Sequence, residues 1–182
     1  MKSKKDIFYV LTFFLSLAII FSFVGIYYNI NYPIKYNDLI LKYSAQYDLN
    51  SEFVASLINE ESSFNKNAVS SSGALGLMQL LPSTGEYIAS MLNEKFNIED
   101  LFEPEINIKY GCFYLNYLSK KFSKESTVLC AYNVGETIVR SWLLNKDYSE
   151  DGKSLDNIPY DETKKYEQKI MNSYEMYKKI YK

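Results

Sequence analysis

The chain contains no histidine. That absence removes serine–histidine and cysteine–histidine nucleophile pairs, HExxH zinc sites and imidazole proton shuttles. Two cysteines are too few for a zinc site or a disulfide framework. No metal constellation occurs, so no cofactor is expected and a chelator should have no effect. An excess of positive charge is also missing. The 20 basic and 22 acidic residues leave a formal net charge of −2, which argues against a nucleic-acid partner held through its phosphates. Acid–base chemistry near neutral pH must then come from carboxylates, tyrosines or lysines in altered surroundings. What is present is a chain of 182 residues, 47% hydrophobic and 23% charged. That balance fits one domain with a little left over, neither disordered nor fully embedded in a membrane.

The surplus is at the amino terminus. Residues Ile7 to Tyr28 read IFYVLTFFLSLAIIFSFVGIYY, and no charge occurs between Asp6 and Lys35. As a helix this run rises roughly 33 Å, enough to cross a bilayer core of about 30 Å. It is apolar all round rather than striped, so it does not read as a core helix. It is longer than the apolar core of a cleaved signal peptide. Phe23, two positions before Gly25, also makes a poor cleavage site. The segment is therefore expected to be a retained transmembrane helix. Lys2, Lys4 and Lys5 precede it, which predicts a cytoplasmic start and an outer carboxyl-terminal part, with Tyr27, Tyr28 and Tyr32 at the outer interface. The expected divisions are a cytoplasmic tail (1–6), a membrane helix (7–28), a stalk broken by Pro33 (29–36) and an outer domain (37–182). From residue 31 onward 17 basic and 21 acidic residues give a net charge of −4, so charge does not draw this domain to anionic lipid.

The outer domain reads as all-α. Helices are predicted over Asp38–Asp48, over Ser51–Ser63 with Asn50 or Ser51 as N-cap, and over Pro82–Asn93 and Pro104–Phe122 with proline in the first turn. Further helices are predicted from Ser126 or Thr127 to Asn133, over Glu136–Asn145, and over Thr163–Tyr181. The last carries Tyr166, Ile170, Tyr174, Tyr177 and Tyr181 at helical spacing, which reads as a docking face. No strand pattern, repeat or low-complexity tract is present. Asp147 to Tyr160 is the longest turn-rich segment and a candidate loop over a groove. Cys112 and Cys130 are expected to be buried thiols. Trp142 is expected in the core.

Glu61 is the residue that the helical phase singles out. At about 100° per residue, Phe53, Val54, Leu57 and Ile58 span an apolar arc centred at about 70° from Phe53, with Glu61 at about 80° and Glu60 at about −20°. Of two adjacent glutamates, one points where the helix is buried. Burial raises a carboxyl pKa, and a glutamate still protonated near neutral pH can act as a general acid. A hydrogen-bonded structural glutamate, or a helix that ends before residue 61, would satisfy the same pattern. Downstream, Ser70-Ser71-Ser72-Gly73-Ala74-Leu75-Gly76-Leu77-Met78-Gln79 offers small residues, close backbone approach and one amide able to donate and accept. It suits a groove wall for a sugar amide, or an ordinary turn.

Several of these segments together resemble the SLT-type lytic transglycosylase family. They are Ile58–Asn65 (INEESSFN), Ala68-Val69-Ser70, Gly73-Ala74 and Gly76–Thr84 (GLMQLLPST). Asp100–Glu105, Asn107-Ile108, Tyr110-Gly111 and Tyr114-Leu115 follow, and then Ala131-Tyr132-Asn133 with Gly135 and Ile158-Pro159-Tyr160 with Glu162-Thr163. The resemblance covers about residues 37–175. It implies a lysozyme-like (goose-type/SLT) helical domain with a groove for peptidoglycan glycan strands. It also implies cleavage of the bond from N-acetylmuramic acid to N-acetylglucosamine without water, leaving a 1,6-anhydro end. The family's catalytic glutamate maps to Glu61. Ser70 and Gln79 are expected to line the groove, Ser71 or Ser72 being able to share or replace the role of Ser70. Tyr132 and Asn133 are expected to hold the sugar or the catalytic carboxyl, and Tyr160 to close the site. Two alternatives share the fold: a muramidase hydrolysing the same bond, and a non-catalytic cell-wall binding or scaffolding protein. Partners within a larger envelope assembly, and the process served, are left open.

Overall fold

A computed structural model describes residues 4–181; Lys2 of the expected tail and the terminal Lys182 lie outside the described residues. The chain divides into two units, one ending at Pro33 and the other beginning at Ile34. The first is a single helix, α1 (Lys4–Asn31). It extends through three residues of the expected stalk and stops before Pro33, as the restriction on residues preceding proline requires. Phe8–Asn31 is 24 residues long with a mean hydropathy of 2.3, long and apolar enough to cross a membrane. Its serine and threonine hydroxyls are satisfied on the helix itself: Thr12, Ser16 and Ser22 donate to the carbonyls of Tyr9, Phe13 and Ala18. Such internal bonding suits a helix surrounded by lipid.

The second unit contains α2 (Asn37–Gln46), α3 (Ser51–Ser62), α4 (Pro82–Met91), a 3-10 turn (Ile98–Phe102), α5 (Pro104–Ser119), α6 (Glu125–Val134), α7 (Glu136–Leu143) and α8 (Asp161–Ile180). The predicted helices are all present, most of them a residue or two shorter at the carboxyl end. The 3-10 turn is an addition, held at its start by Asn97, whose Oδ1 accepts from the Glu99 N–H at 3.2 Å. Asn50 is the N-cap of α3, accepting from the Glu52 N–H at 3.0 Å. Among the described residues the only β pairing is two isolated bridges, Val69 with Leu75 and Leu75 with Leu80.

Helix α3 is the axis of this unit. Phe53 through Ile58 are buried without a break, so the middle of the helix has no solvent face. The single buried arc used in the phase reading holds only towards its last turn. Helix α8 packs antiparallel to α3. Phe53 meets Tyr174 edge-on at 5.4 Å, and near the other end of the pair Lys169 reaches Glu60 at 3.0 Å and Tyr166 reaches Glu61 at 2.6 Å. Ile170, Tyr174 and Tyr177 of the expected docking stripe are buried. Each such side chain is worth about 1.5–3 kcal/mol in transfer from water.

A second cluster of Leu75, Leu80, Ile88, Ala89, Leu101 and Tyr110 binds the 63–81 loop to α4, the 3-10 turn and α5. Most of the segment 147–160 folds back on itself, and its end, Pro159 and Tyr160, lines a hollow. Asp151 accepts from the Lys153 and Ser154 N–H groups, Asp156 accepts from the Glu150 N–H, and the Leu155 N–H donates to Thr127 of α6. Its own side chains close it into a compact loop against α6. Cys112 and Cys130 are buried free thiols, and Trp142 is buried.

Candidate active site

The site begins where α3 ends. Ser63 and Phe64 both take left-handed backbone conformations, with φ of 50° and 60°. This reverses the chain immediately after Glu61 and Ser62, at a conformational cost that the surroundings must offset. Phe64 is buried and pins the turn. The Ser62 hydroxyl reaches the Leu77 carbonyl at 2.8 Å, tying the helix end to the returning loop. Asn107 of α5 organises that loop from below. It accepts from the Met78 N–H at 2.7 Å and donates to the Leu75 and Leu101 carbonyls at 3.0 and 2.7 Å. Gly76 is required there. Its φ is +76°, and a Cβ would stand 2.2 Å from the Leu101 carbonyl oxygen and 2.3 Å from the Asn107 amide.

The cleft so formed has a volume of about 300 Å³. One wall carries Ser70, Ser72, Ala74 and Gln79, and another Leu80, Leu81 and Thr84. The remainder is Tyr114 with Tyr132 to Gly135, and Glu61 stands among them. Gly135, with φ +92°, separates α6 from α7 and leaves the end of α6 open to the cleft.

Glu61 Oε1 accepts a 2.6 Å hydrogen bond from the Tyr166 hydroxyl of α8. Its Oε2 accepts none among the described residues. Burial pushes the carboxyl up to about 7; the Tyr166 bond opposes this and the nearby Glu60 charge adds to it. Glu60, one residue away, does not line the cleft and pairs with Lys169 at 3.0 Å. Among the described residues Glu61 is the only carboxylate on the cleft wall. Burial and the Glu61 charge hold the Tyr132 and Tyr166 phenols protonated well above their ordinary range.

The family model for the transglycosylase SLT domain matches residues 38–155. The chain belongs to the SLT family. Over 154 residues it is 33% identical to the soluble lytic murein transglycosylase of Salmonella typhimurium, a match covering 80% of this chain and 23% of that protein. It is 33% identical over 136 residues to the membrane-bound lytic murein transglycosylase E of Buchnera aphidicola, covering 72% and 62%. The lytic transglycosylase Slt of Pseudomonas aeruginosa, solved as an inactive glutamate-to-glutamine mutant, superposes with a TM-score of 0.73 at 26% identity, over 82% of this chain and 25% of that one. The chain thus spans about a quarter of the length of the soluble relatives it matches. The expected all-α, lysozyme-like SLT fold is the fold of its second unit.

Within this SLT domain, five of the six expected site residues share the cleft: Glu61, Ser70, Gln79, Tyr132 and Asn133. Ser72 joins Ser70 on the wall, their hydroxyls 2.8 Å apart, and Ser71 does not. Gln79 has less to offer than its amide suggested. Both N–H bonds are used on the Ala68 and Gly76 carbonyls, at 3.1 and 2.8 Å, so only its carbonyl oxygen remains. The Tyr132 hydroxyl donates its proton to the Met78 carbonyl at 2.7 Å, which leaves only its oxygen as an acceptor. Asn133 accepts from the Thr163 hydroxyl at 2.9 Å through Oδ1. Tyr160 is the exception: 52% exposed, it lies edge-on to Trp142 in an adjoining hollow that shares Ser72, Asn133 and Val134 with the cleft. Tyr166 was missed. Its helical spacing assigned it to the docking stripe, and only the register of α8 on α3 brings it to Glu61.

Proposed function

We propose that the chain is a membrane-anchored lytic transglycosylase that cuts peptidoglycan glycan strands, with Glu61 acting as general acid and then as base. The observation that carries this reading is a lone carboxyl, raised to about 7, in a polar cleft whose wall holds no second carboxylate. Retaining glycosidases need a nucleophilic carboxylate about 5–5.5 Å from the acid, and inverting ones a base farther off. Among the described residues the cleft wall supplies neither, Asp161 and Glu162 standing in the adjoining hollow, and this favours the sugar's own 6-hydroxyl as the nucleophile.

The protonated Glu61 gives its proton to the oxygen of the bond between muramic acid and glucosamine. The C1–O bond breaks with its electron pair going to that oxygen, and the substrate's 2-acetamido carbonyl supports the positive charge at C1. The Glu61 carboxylate then takes the proton of the 6-hydroxyl in the same ring as that oxygen attacks C1. The product is a 1,6-anhydro ring, no water is consumed, and Glu61 is again protonated. Attack within one ring gives the hydroxyl a very high effective concentration. Proton transfer by a positioned acid contributes about 10²–10⁴ in rate. Ser70, Ser72, the Gln79 carbonyl and Asn133 present polar groups to the sugars. Tyr132 serves as a fixed wall, and Tyr160 contacts the strand from the adjoining hollow. The relatives' names, which include membrane-bound lytic murein transglycosylases, support the reaction class and the anchor. In this reading residues 1–6 are cytoplasmic, α1 spans the membrane, and residues 37–182 form the catalytic domain outside it.

The test is mass analysis of soluble products from purified sacculi. Wild type should release 1,6-anhydromuropeptides, and Glu61→Gln should lower their rate by at least about 10². Reducing-end products alone would make the chain a muramidase. Undiminished release by Glu61→Gln would end the assignment.

A further inference from the structure

Four tyrosines lead outward from the cleft. Tyr132 and Tyr114 stand on its wall with ring centroids 5.6 Å apart. Tyr114 and Tyr117 follow at 6.0 Å with planes nearly parallel, at 15°; Tyr117 and Tyr87 are 6.1 Å apart, edge to face at 74°. Tyr87 of α4 ends the run and is 46% exposed. Thr84, three residues before it, lines the cleft, as does Leu81 at the N-cap of α4. Positions three apart share a helix face, so the side of α4 that meets the cleft at Thr84 continues to Tyr87.

A single exposed tyrosine needs no explanation. This one is held in place. Its hydroxyl donates to the Tyr117 hydroxyl at 3.3 Å, and Tyr117 is fixed in turn between Tyr114 and the Lys121 ammonium, which sits 3.8 Å over its ring. Lys121 also donates to the Tyr117 hydroxyl and pairs with Glu136 at 2.6 Å, and Arg140 holds the same carboxylate at 2.7 Å. With Lys121 engaged by Glu136 and Tyr117, the surface presented beside the cleft is an aromatic ring backed by Tyr117 rather than a free charge. A ring backed in this way has less freedom to lose when a ligand settles on it. β-Linked pyranoses have apolar C–H faces that suit such a ring, and a strand leaving the cleft along α4 would carry one there.

We propose that Tyr87 is a sugar platform outside the catalytic cleft, with Tyr117 and Lys121 as its supports, and that it makes the protein favour longer glycan strands. The proposal rests on the functional reading above. Its test is calorimetric binding of a peptide-free murein tetrasaccharide and octasaccharide to the full chain in detergent micelles. The Glu61→Gln background keeps both oligomers intact. Tyr87→Ala should bind the octasaccharide about tenfold more weakly, with the tetrasaccharide changed less than about twofold. Tyr87→Phe, which keeps the ring, should retain most of the affinity. Equal losses on both lengths, or no loss on the longer one, overturn the platform. So does a loss confined to peptide-bearing octasaccharide, which would make the occupant a peptide stem. The functional reading is judged separately, by anhydromuropeptide release from sacculi by the wild-type chain. Release with no length-dependent effect of Tyr87→Ala sinks the platform alone, whereas an inert wild type sinks both.

Discussion

The Tyr166 hydroxyl donates to Glu61 across 105 positions of sequence, at 2.6 Å. The bond connects α8, the last helix, to the end of α3. It works against the larger effect of burial, which pushes the carboxyl up to about 7. Its partner stays a neutral phenol, because burial and the Glu61 charge raise the Tyr166 pKa well above the ordinary range. Glu61 thus has one oxygen fixed by a donor, while Oε2 accepts no hydrogen bond among the described residues.

Tyr166→Phe removes the donor and keeps the ring. The bond favours the carboxylate, so without it Glu61 holds its proton to higher pH. The alkaline limb of kcat/KM on solubilised glycan strands should move up by about one pH unit, while activity on the acid side of the profile persists. A limb that stays in place or moves down would show that Tyr166 does not set the acidity of Glu61.

Burial of Glu61 also links stability to pH. Its folded pKa of about 7 lies above the ordinary 4.5. The neutral acid is therefore the favoured folded form. That contribution is fully present below about pH 4.5 and is lost as pH rises through about 7. Glu61→Gln cannot ionise and should be more stable than wild type at pH 8.5, by on the order of 2 kcal/mol, with a much smaller difference at pH 5. Urea unfolding of both chains at the two pH values checks the sign.

The loop beneath the cleft should tolerate little change. Asn107→Leu leaves the Met78 N–H and the Leu101 carbonyl without their buried partner, while the Leu75 carbonyl keeps the Leu80 N–H. At about 1–3 kcal/mol for each unsatisfied group, a loss of at least about 2 kcal/mol is expected. Gly76→Ala should lose a similar amount, because its Cβ would meet the Leu101 backbone oxygen and the hydrogen-bonded Asn107 amide. Thermal unfolding measures both. A change in Tm of a degree or two would mean that the loop adapts.

Much of this arrangement was legible beforehand because it is local. Pro82 and Pro104 announce helix starts, Asn50 caps α3, and the uncharged run after Asp6 is apolar in every direction. The phase of α3 selected Glu61 over Glu60, although the reason was only partly right. The middle of α3 is buried all round, and the two glutamates part company because α8 offers Tyr166 to one and Lys169 to the other. Gln79 was read as a free amide, but the backbone carbonyls that occupy its N–H groups become neighbours only when the loop closes. Tyr160 follows the family's motif and still stands beside the cleft, because its ring packs on Trp142.

Periodicity, capping and charge spacing act over a few residues, so the sequence alone determined the helices, the apolar amino-terminal span and the carboxyl capable of acid chemistry. The antiparallel seating of α8 on α3, the Asn107 bracket under the loop and the tyrosines running out from the cleft join positions tens of residues apart. Helical spacing gives a residue its face but not its partner. Only packing of the whole domain decided which tyrosine meets Glu61 and how far its proton is held.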